Sequence, residues 1–438
     1  MRVGAITRLT AVCGACGALA LAAGCGTDPA ASPSRPATEL VDRTAERVAG
    51  QAATATDPPA APRAVHDAAR PPIELALDAT PAAAAVAADR LEPPLRTLLV
   101  AMGGDILNEN AVNAAGAAAA APGERYDFRP VFAPIAPVLG SADLAICHAE
   151  LPIGAPGARA GQYGRSPYGG NQLLAPYELA SALAASGFDR CSTASNHSND
   201  TGAPGIASTL DALDAAGISH TGTARTADEA RPEVFVVNGV RVAHLSYTRA
   251  WNTNLPRDRW MLRSVTTPDE IAADVATVRA AGAEIVIVSI HLGLEMQREP
   301  SPDDRAFATA LTAMADIDLV VHHGPHVVQP VERVNGTLVY WSVGNLVSGM
   351  GTAGSGKYAD LRTLDGLLAT VRFTESRPGR FVAESWPVVV CTSRLDRSVH
   401  AAVSELADPV RAAQLAPVQR DELRACIDRT VAVVGEVH

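Results

Sequence analysis

The stretch EIVIVSIHLGLEMQREPSPDDRAFATALTAMADIDLVVHHGPH, residues 284–326, decides the fold class. Glu284 to Ile290 is dominated by β-branched residues and reads as a buried strand that ends at His291. Asp303 to Ala315 carries a helical pattern, and Ile317 to Val321 is a second apolar run that ends in His322-His323-Gly324-Pro325-His326. Strand, helix and strand in succession mark an α/β layered fold.

Working outward, the same pattern recurs. Thr97 to Met102 runs into Gly103-Gly104-Asp105, Asp143 to Cys147 into His148-Ala149-Glu150, and Phe188 to Ala194 into Ser195-Asn196-His197. Helical segments are predicted over Ala175 to Ser186, Gly202 to Ala216 and Pro268 to Ala281. Sites in open α/β sheets form outside the carboxyl ends of the strands, and here five strands each deliver a carboxylate, amide or imidazole to that edge. Asn238-Gly239 and Asn335-Gly336 each separate two apolar runs and predict type I′ hairpins. Leu367 to Phe373 and Phe381 to Val390 are expected as antiparallel strands of a second sheet, and Ser393 to His438 as a mostly helical tail.

Carboxylates, an amide and several imidazoles make an oxygen-and-nitrogen donor set, suited to Mn, Fe or Zn. One or two such ions would acidify water and hold an oxyanion, and a histidine left off the metal would serve as general acid. Singly, most of these residues have a bland reading. Asp105 would cap the next segment, Glu150 would be an exposed loop charge, and Asn196-His197 would belong to a polar loop capping the helix from Gly202. His291 alone would be a core histidine. His323 and His326 resist this, because the rigid Gly324-Pro325 turn holds two imidazoles three residues apart.

The order of these motifs, with His291-Leu-Gly-Leu-Glu295, His323-Gly-Pro-His326-Val-Val-Gln-Pro and Gly344-Asn345, resembles the CapA family of poly-γ-glutamate capsule synthesis proteins, related to calcineurin-like metallophosphoesterases. The resemblance runs from about Leu98 to Val390. It implies a four-layer α/β/β/α sandwich. It also implies metal ligation by Asp105, Glu150 (in the bridging place), Asn196, His291, His323 and His326, with His197 as general acid. Glu295 and Asn345 belong to the motifs and would support the ligands from behind. The chain departs from the family where His148-Ala149-Glu150 replaces the usual Asn-Leu-Glu; an imidazole there would add a ligand or alter substrate choice. His322 replaces a usual glycine, Leu346 a usual aromatic, and the superfamily's Asp-x-His opening is only Gly104-Asp105, so a one-metal site is an alternative.

Arg2 and Arg8 precede a short apolar run, Leu9 to Ala23, that ends in Leu21-Ala22-Ala23-Gly24-Cys25. This reads as an export signal over residues 1–24, and Cys25 fits a lipoprotein box; an ordinary secretory signal is the alternative. Residues 25–95, rich in Ala, Pro, Thr and Asp, are expected as a disordered tether, followed by a metallophosphoesterase-type domain over 96–391 and a helical extension over 392–438. An exported location at the outer face of the membrane follows. Cys147, Cys191, Cys391 and Cys426 then permit three disulfide pairings. Cys391 with Cys426 would staple the tail to the body, Cys147 and Cys191 both sit near strand ends, and four free buried thiols are the alternative.

Among 438 residues, 47% hydrophobic but only 4% aromatic, small aliphatic side chains must fill the core. A formal charge of −11 argues against a nucleic-acid binder, whose footprint is a basic patch. An anionic polymer or phosphoester substrate would need a local basic cleft, for which Arg165, Arg249, Arg257 and Arg259 are candidates. Three function classes remain. The first is a lipid-anchored, metal-dependent hydrolase of capsule or envelope polymer synthesis; the second is a non-catalytic scaffold among the envelope synthesis machinery. The third, a solute-binding lipoprotein, does not explain so many imidazoles on one edge.

Overall fold

The computed structural model describes residues 95–437 apart from residue 353. The expected export signal, Cys25 and nearly all of the expected tether lie outside the described residues. The strands are β1 (Thr97–Leu107), β2 (Leu144–His148), β3 (Gly161–Arg165), β4 (Asn171–Leu174), β5 (Arg190–Ser192) and β6 (Ser219–Thr221). Then follow β7 (Phe235–Val237), β8 (Val240–Thr248), β9 (Ile285–His291), β10 (Leu319–His323), β11 (Val331–Val334) and β12 (Thr337–Tyr340). The last are β13 (Asn345–Ser348), β14 (Asp365–Arg377), β15 (Arg380–Ser385), β16 (Val388–Thr392) and β17 (Val399–Ala401).

Two sheets form from them, in the orders β17-β16-β14-β1-β2-β5-β6 and β11-β12-β10-β9-β8-β7. In the first, β13 pairs with the end of β1 and β15 with β14; β3 and β4 stand apart as a hairpin. The sheets face each other across one apolar layer that includes Leu98, Val100, Met102, Leu144 and Ile146 from one side and Ile285, Ile287, Leu319 and Val321 from the other. Helices cover the outer faces. On the first sheet these include α1 (Asn110–Ala119), α2 (Glu178–Ser186) and α3 (Gly202–Ala215); on the second, α4 (Pro268–Ala280) and α5 (Pro302–Met314). The result is the expected four-layer α/β/β/α sandwich. β9 and β10 are buried along their whole lengths because both faces are covered, which is why they read as unbroken apolar runs.

Both Asn-Gly hairpins form. Asn238, Gly239, Asn335 and Gly336 all take positive φ, the backbone a type I′ turn demands. One expectation is corrected. The strands read from Leu367 to Phe373 and from Phe381 to Val390 are not in a second sheet; β14 pairs antiparallel with β1, Thr97 opposite Thr374 through Met102 opposite Ala369. The second of those runs is cut by Trp386-Pro387 into β15 and β16. The tail contributes the helices α6 (Ala402–Ala407), α7 (Pro409–Gln414) and α8 (Pro417–Val434), but also β17, which extends the first sheet beside β16. Helix α8 inserts Leu423 and Cys426 into the layer between the sheets. Cys391 and Cys426 are joined as a disulfide, and so are Cys147 and Cys191, which are register partners on β2 and β5.

Candidate metal centre

A strand's side chains alternate between faces, so the strand ends place their polar groups by counting in twos. In β2, Leu144 and Ile146 face the layer between the sheets; the next inward position is His148. In β9 the inward series Ile285, Ile287 and Ser289 ends at His291, and in β10 Leu319 and Val321 end at His323. The polar groups are thus the last inward positions of core strands, and they collect at one end of the intersheet layer. Register completes the assembly. Asp105 pairs with His148 across β1 and β2, and His291 with His323 across β9 and β10, so two adjacent polar pairs face each other from opposing sheets.

Two glycines permit this approach. A Cβ at Gly104 would run into the Gly344 carbonyl, and Gly324, at φ +108°, leaves room that a side chain would take from His291. The Gly324 N–H donates to Asp105 Oδ2 at 3.1 Å. His326 itself sits at φ 60°, a conformation a non-glycine residue rarely adopts, and the Gly-Pro turn holds it there.

Asp105, Glu150, His148 and His323 are completely or almost completely buried, as are His291 and His326. Neither bland reading of the carboxylates holds: Glu150 is not an exposed charge, and Asp105 bonds across the fold instead of capping a neighbour. His323 Nδ1 stands 3.4 Å from Asp105 Oδ1, and His326 Nδ1 stands 3.2 Å from Asp105 Oδ2. His326 Nε2 is 3.9 Å from Glu150 Oε1. His148 Nε2 is 3.1 Å from His291 Nδ1 and 3.9 Å from Asp105 Oδ1, and its ring stacks on His323 with centroids 3.9 Å apart. Two overlapping groups therefore share Asp105: one with His148 and His323, the other with Glu150 and His326.

Several of these buried atoms have no hydrogen-bond partner: Asp105 Oδ1, both Glu150 carboxylate oxygens, Asn196 Oδ1 and both ring nitrogens of His323. Unpartnered buried polar atoms cost about 1–3 kcal/mol each, so such a concentration marks a place for a bound partner. The carboxylate and amide oxygens among them are acceptors only, and each imidazole can offer a lone pair. A divalent cation fits that set.

Charge follows the same geometry. Burial alone would raise Asp105, but His323 and His326 beside it hold its carboxyl well below the usual carboxylate range. Burial pushes Glu150 well above it. Burial opposes protonation of His326, but the neighbouring Glu150 and Asp105 outweigh it and push the imidazole up to about 10. Burial drives His291 down to about 3 and His148 well below its ordinary value.

Asn196 and His197 lie on the loop after β5, which Ser195 ties to Glu150 by donating from Oγ to the Glu150 carbonyl at 2.6 Å. His197 is partly exposed, and its Nδ1 donates to Asp200 Oδ2 at 2.6 Å. Asp200 is buried and also accepts from Asn252 Nδ2 at 2.8 Å and the Leu173 N–H at 2.8 Å. The polar loop from Asn196 is expected to cap α3, yet α3 has no side-chain cap, and Asp200 serves His197 instead. A His and an Asp three residues apart was the available signal. Glu109, also missed, sits close enough to His326 and His197 for both to act on its carboxyl, which burial raises.

Asn345 Oδ1 lies 3.0 Å from His326 Nδ1, and its Nδ2 donates to the Thr363 carbonyl at 2.8 Å, so it braces that ring from behind. Glu295 accepts from Lys357 Nζ at 2.6 Å and from the Tyr358 hydroxyl at 2.5 Å, and the Tyr358 ring stands edge-on to His326, centroids 6.3 Å apart. Lys357 is the only lysine of the chain. Arg165 is exposed on β3 and makes its hydrogen bond to the Gly169 carbonyl, apart from the cluster. Arg249 is partly buried over the Phe307 ring and pairs with Asp303, while Arg257 and Arg259 are exposed. His322 points to the outer layer, edge-on to Trp341.

The family described as bacterial capsule synthesis protein PGA_cap matches residues 99–350. The capsule biosynthesis protein CapA of Bacillus anthracis is 30% identical over 184 residues, 41% of this chain and 44% of that one. The PGA biosynthesis protein CapA of Bacillus subtilis is 28% identical over 196 residues, 44% of this chain and 49% of that one. The matched region thus spans less than half the length of these relatives. Among solved structures, the calcineurin-like phosphoesterase YfkN of Bacillus subtilis is similar at a TM-score of 0.43 and 12% identity, over 76% of this chain and all of that one.

Proposed function

The chain belongs to the PGA_cap family of bacterial capsule synthesis proteins, and from that premise we propose that it is a metal-dependent hydrolase acting in the synthesis of a capsule or other envelope polymer. The observation that carries the reading is the group of unpartnered buried donors on Asp105, Glu150, Asn196 and His323. Asp105, Glu150, Asn196, His291, His323 and His326 would hold one or two Mn, Fe or Zn ions. A bound ion would supply Lewis acidity, acidifying water and polarising a phosphoryl or carbonyl oxygen of the substrate.

The chain's own residues do the rest. His197 carries its Nδ1 proton on Asp200, which leaves Nε2 to deliver a proton to a leaving group. Asp200 keeps that ring in one tautomer and orientation. Lys357 and Tyr358, bracketed on Glu295, are positioned to meet a second negative charge of an anionic polymer or phosphoester. The same reading takes residues 1–24 as an export signal, Cys25 as the lipidated first residue, and 25–95 as the tether of a domain facing the envelope synthesis machinery. Among the described residues no helix is long and apolar enough to cross a membrane.

Metal analysis of the purified chain, with hydrolysis assays on a phosphodiester and on γ-linked polyglutamate, tests this. We expect bound metal, metal-dependent turnover of one substrate, and loss of turnover with retained metal in His197→Ala. No metal after reconstitution would overturn the hydrolase and leave the non-catalytic scaffold.

A further inference from the structure

We propose that His148 is itself a metal ligand, so that this chain builds an imidazole-rich position for a zinc-type ion from Asp105, His148 and His323, beside an oxygen-richer position of Asp105, Glu150 and His326. The inference rests on the metal-site reading above and adds to it a ligand and a difference between the two positions.

The first support is orientation. His148 Nδ1 meets Ser192 Oγ at 3.0 Å, and Ser192 Oγ meets Ser246 Oγ at 2.7 Å, all buried between the sheets. A metal-binding imidazole is ordinarily held in this way, with its second nitrogen on an outer partner that fixes the tautomer. Nε2 is then the nitrogen turned toward Asp105 and His291, with the His323 ring stacked alongside.

Spacing is the second. Ions bound at about 2.0–2.1 Å by nitrogen and 2.0–2.2 Å by oxygen keep neighbouring ligand atoms roughly 3–3.6 Å apart. Two separations fall in that range, 3.1 Å from His148 Nε2 to His291 Nδ1 and 3.4 Å from His323 Nδ1 to Asp105 Oδ1, and the 3.9 Å from His148 Nε2 to Asp105 Oδ1 is slightly longer, so ligation there draws those two atoms together. The third support is that hydrogen bonding does not account for the cluster. One proton between His148 and His291 satisfies that pair, yet Asp105 Oδ1 and both nitrogens of His323 remain without partners.

Donor chemistry then separates the two positions. Imidazoles with one carboxylate favour Zn, whereas two carboxylates with one imidazole suit Mn or Fe(II) better. The test uses the full chain, stripped of metal and titrated with Zn²⁺ or Co²⁺, read by metal stoichiometry and by the visible spectrum of the cobalt form. We expect two equivalents in the parent, one giving the intense visible band of a four-coordinate, nitrogen-rich cobalt site. His148→Phe keeps a ring against His323 but removes both nitrogens; it should lose that band and one equivalent. Glu150→Gln should lose the other equivalent and keep the band.

Two equivalents and an unchanged band in His148→Phe would overturn the inference while leaving the hydrolase reading intact; no metal in the parent would overturn both. Should His148→Phe fail to fold, Ser192→Ala decides. About 10–100-fold weaker zinc binding at unchanged stoichiometry supports ligation by His148, and unchanged affinity refutes it.

Discussion

Metal should stabilise this fold, and the stabilisation should grow as pH rises. An ion that binds only the folded chain at 100 times its Kd adds about 2.7 kcal/mol. With about 340 folded residues and ~2.1 cal/mol/K per residue, the unfolding entropy near the midpoint is about 0.7 kcal/mol/K, so each filled site raises Tm by about 4 °C. The sign of the pH effect comes from the protons the ion must displace. In the metal-free fold, His326 is pushed up to about 10 from an ordinary 6.5. Its protonation therefore stabilises the metal-free fold fully below pH 6.5, and that contribution is lost as pH rises toward 10. Burial also raises Glu150, so the metal-free fold holds that proton more tightly than the unfolded chain does. Metal-free stability from this cluster thus declines with rising pH, while ion binding, which requires those protons to leave, strengthens. One displaced proton changes affinity tenfold per pH unit, which is ~1.4 kcal/mol or about 2 °C per unit between pH 6 and 8. Calorimetry with chelator and with excess Zn²⁺ or Mn²⁺ at pH 6, 7 and 8 reads both effects. A Tm difference of zero, or one that shrinks as pH rises, would refute the reasoning.

Three further outcomes are expected. Asp200→Asn should reduce turnover by about 10²–10⁴, because the amide presents the wrong partner to His197 Nδ1, with metal content unchanged; equal activity would show that the His197–Asp200 contact is structural only. Lys357→Ala should raise KM for a polyanionic substrate several-fold with kcat little altered, measured against salt, since its ammonium is exposed and screened. Removing the Cys391–Cys426 bridge frees a 35-residue loop and should cost about 4 kcal/mol on the chain-entropy estimate, seen as a Tm lower by roughly 5 °C on comparing oxidised parent with Cys391→Ala/Cys426→Ala.

Much of the fold was legible because its signals are local. Ile285 to Ile290 is buried on both faces, so its unbroken β-branched run announces a covered strand. Asn238-Gly239 and Asn335-Gly336 encode their turns in two residues each, and the segments read as helices are helices. The polar residues at strand ends were visible because each interrupts an apolar pattern. Membership of β14 was not legible: an antiparallel strand has the same alternation in whichever sheet it joins, and only intersheet packing of Leu367, Ala369, Val371 and Phe373 decides. Asp200 was hidden for a similar reason, since Ser-Asn-Asp before a helix matches a cap and the competing His197 contact depends on how the loop turns.

The residue types at the strand ends, and therefore the donor chemistry available, were determined by sequence alone, because a strand's period of two and the limits on burying charge act within a few residues. Which donors meet was decided by tertiary structure. Asp105 lies 43 positions before His148 and 218 before His323, and no local rule spans such separations. Register between β1 and β2, register between β9 and β10, and the approach of the two sheets set those distances. The same non-local packing turned His148 from a departure in a motif into an imidazole facing the centre of the site, with Ser192 fixing its other nitrogen.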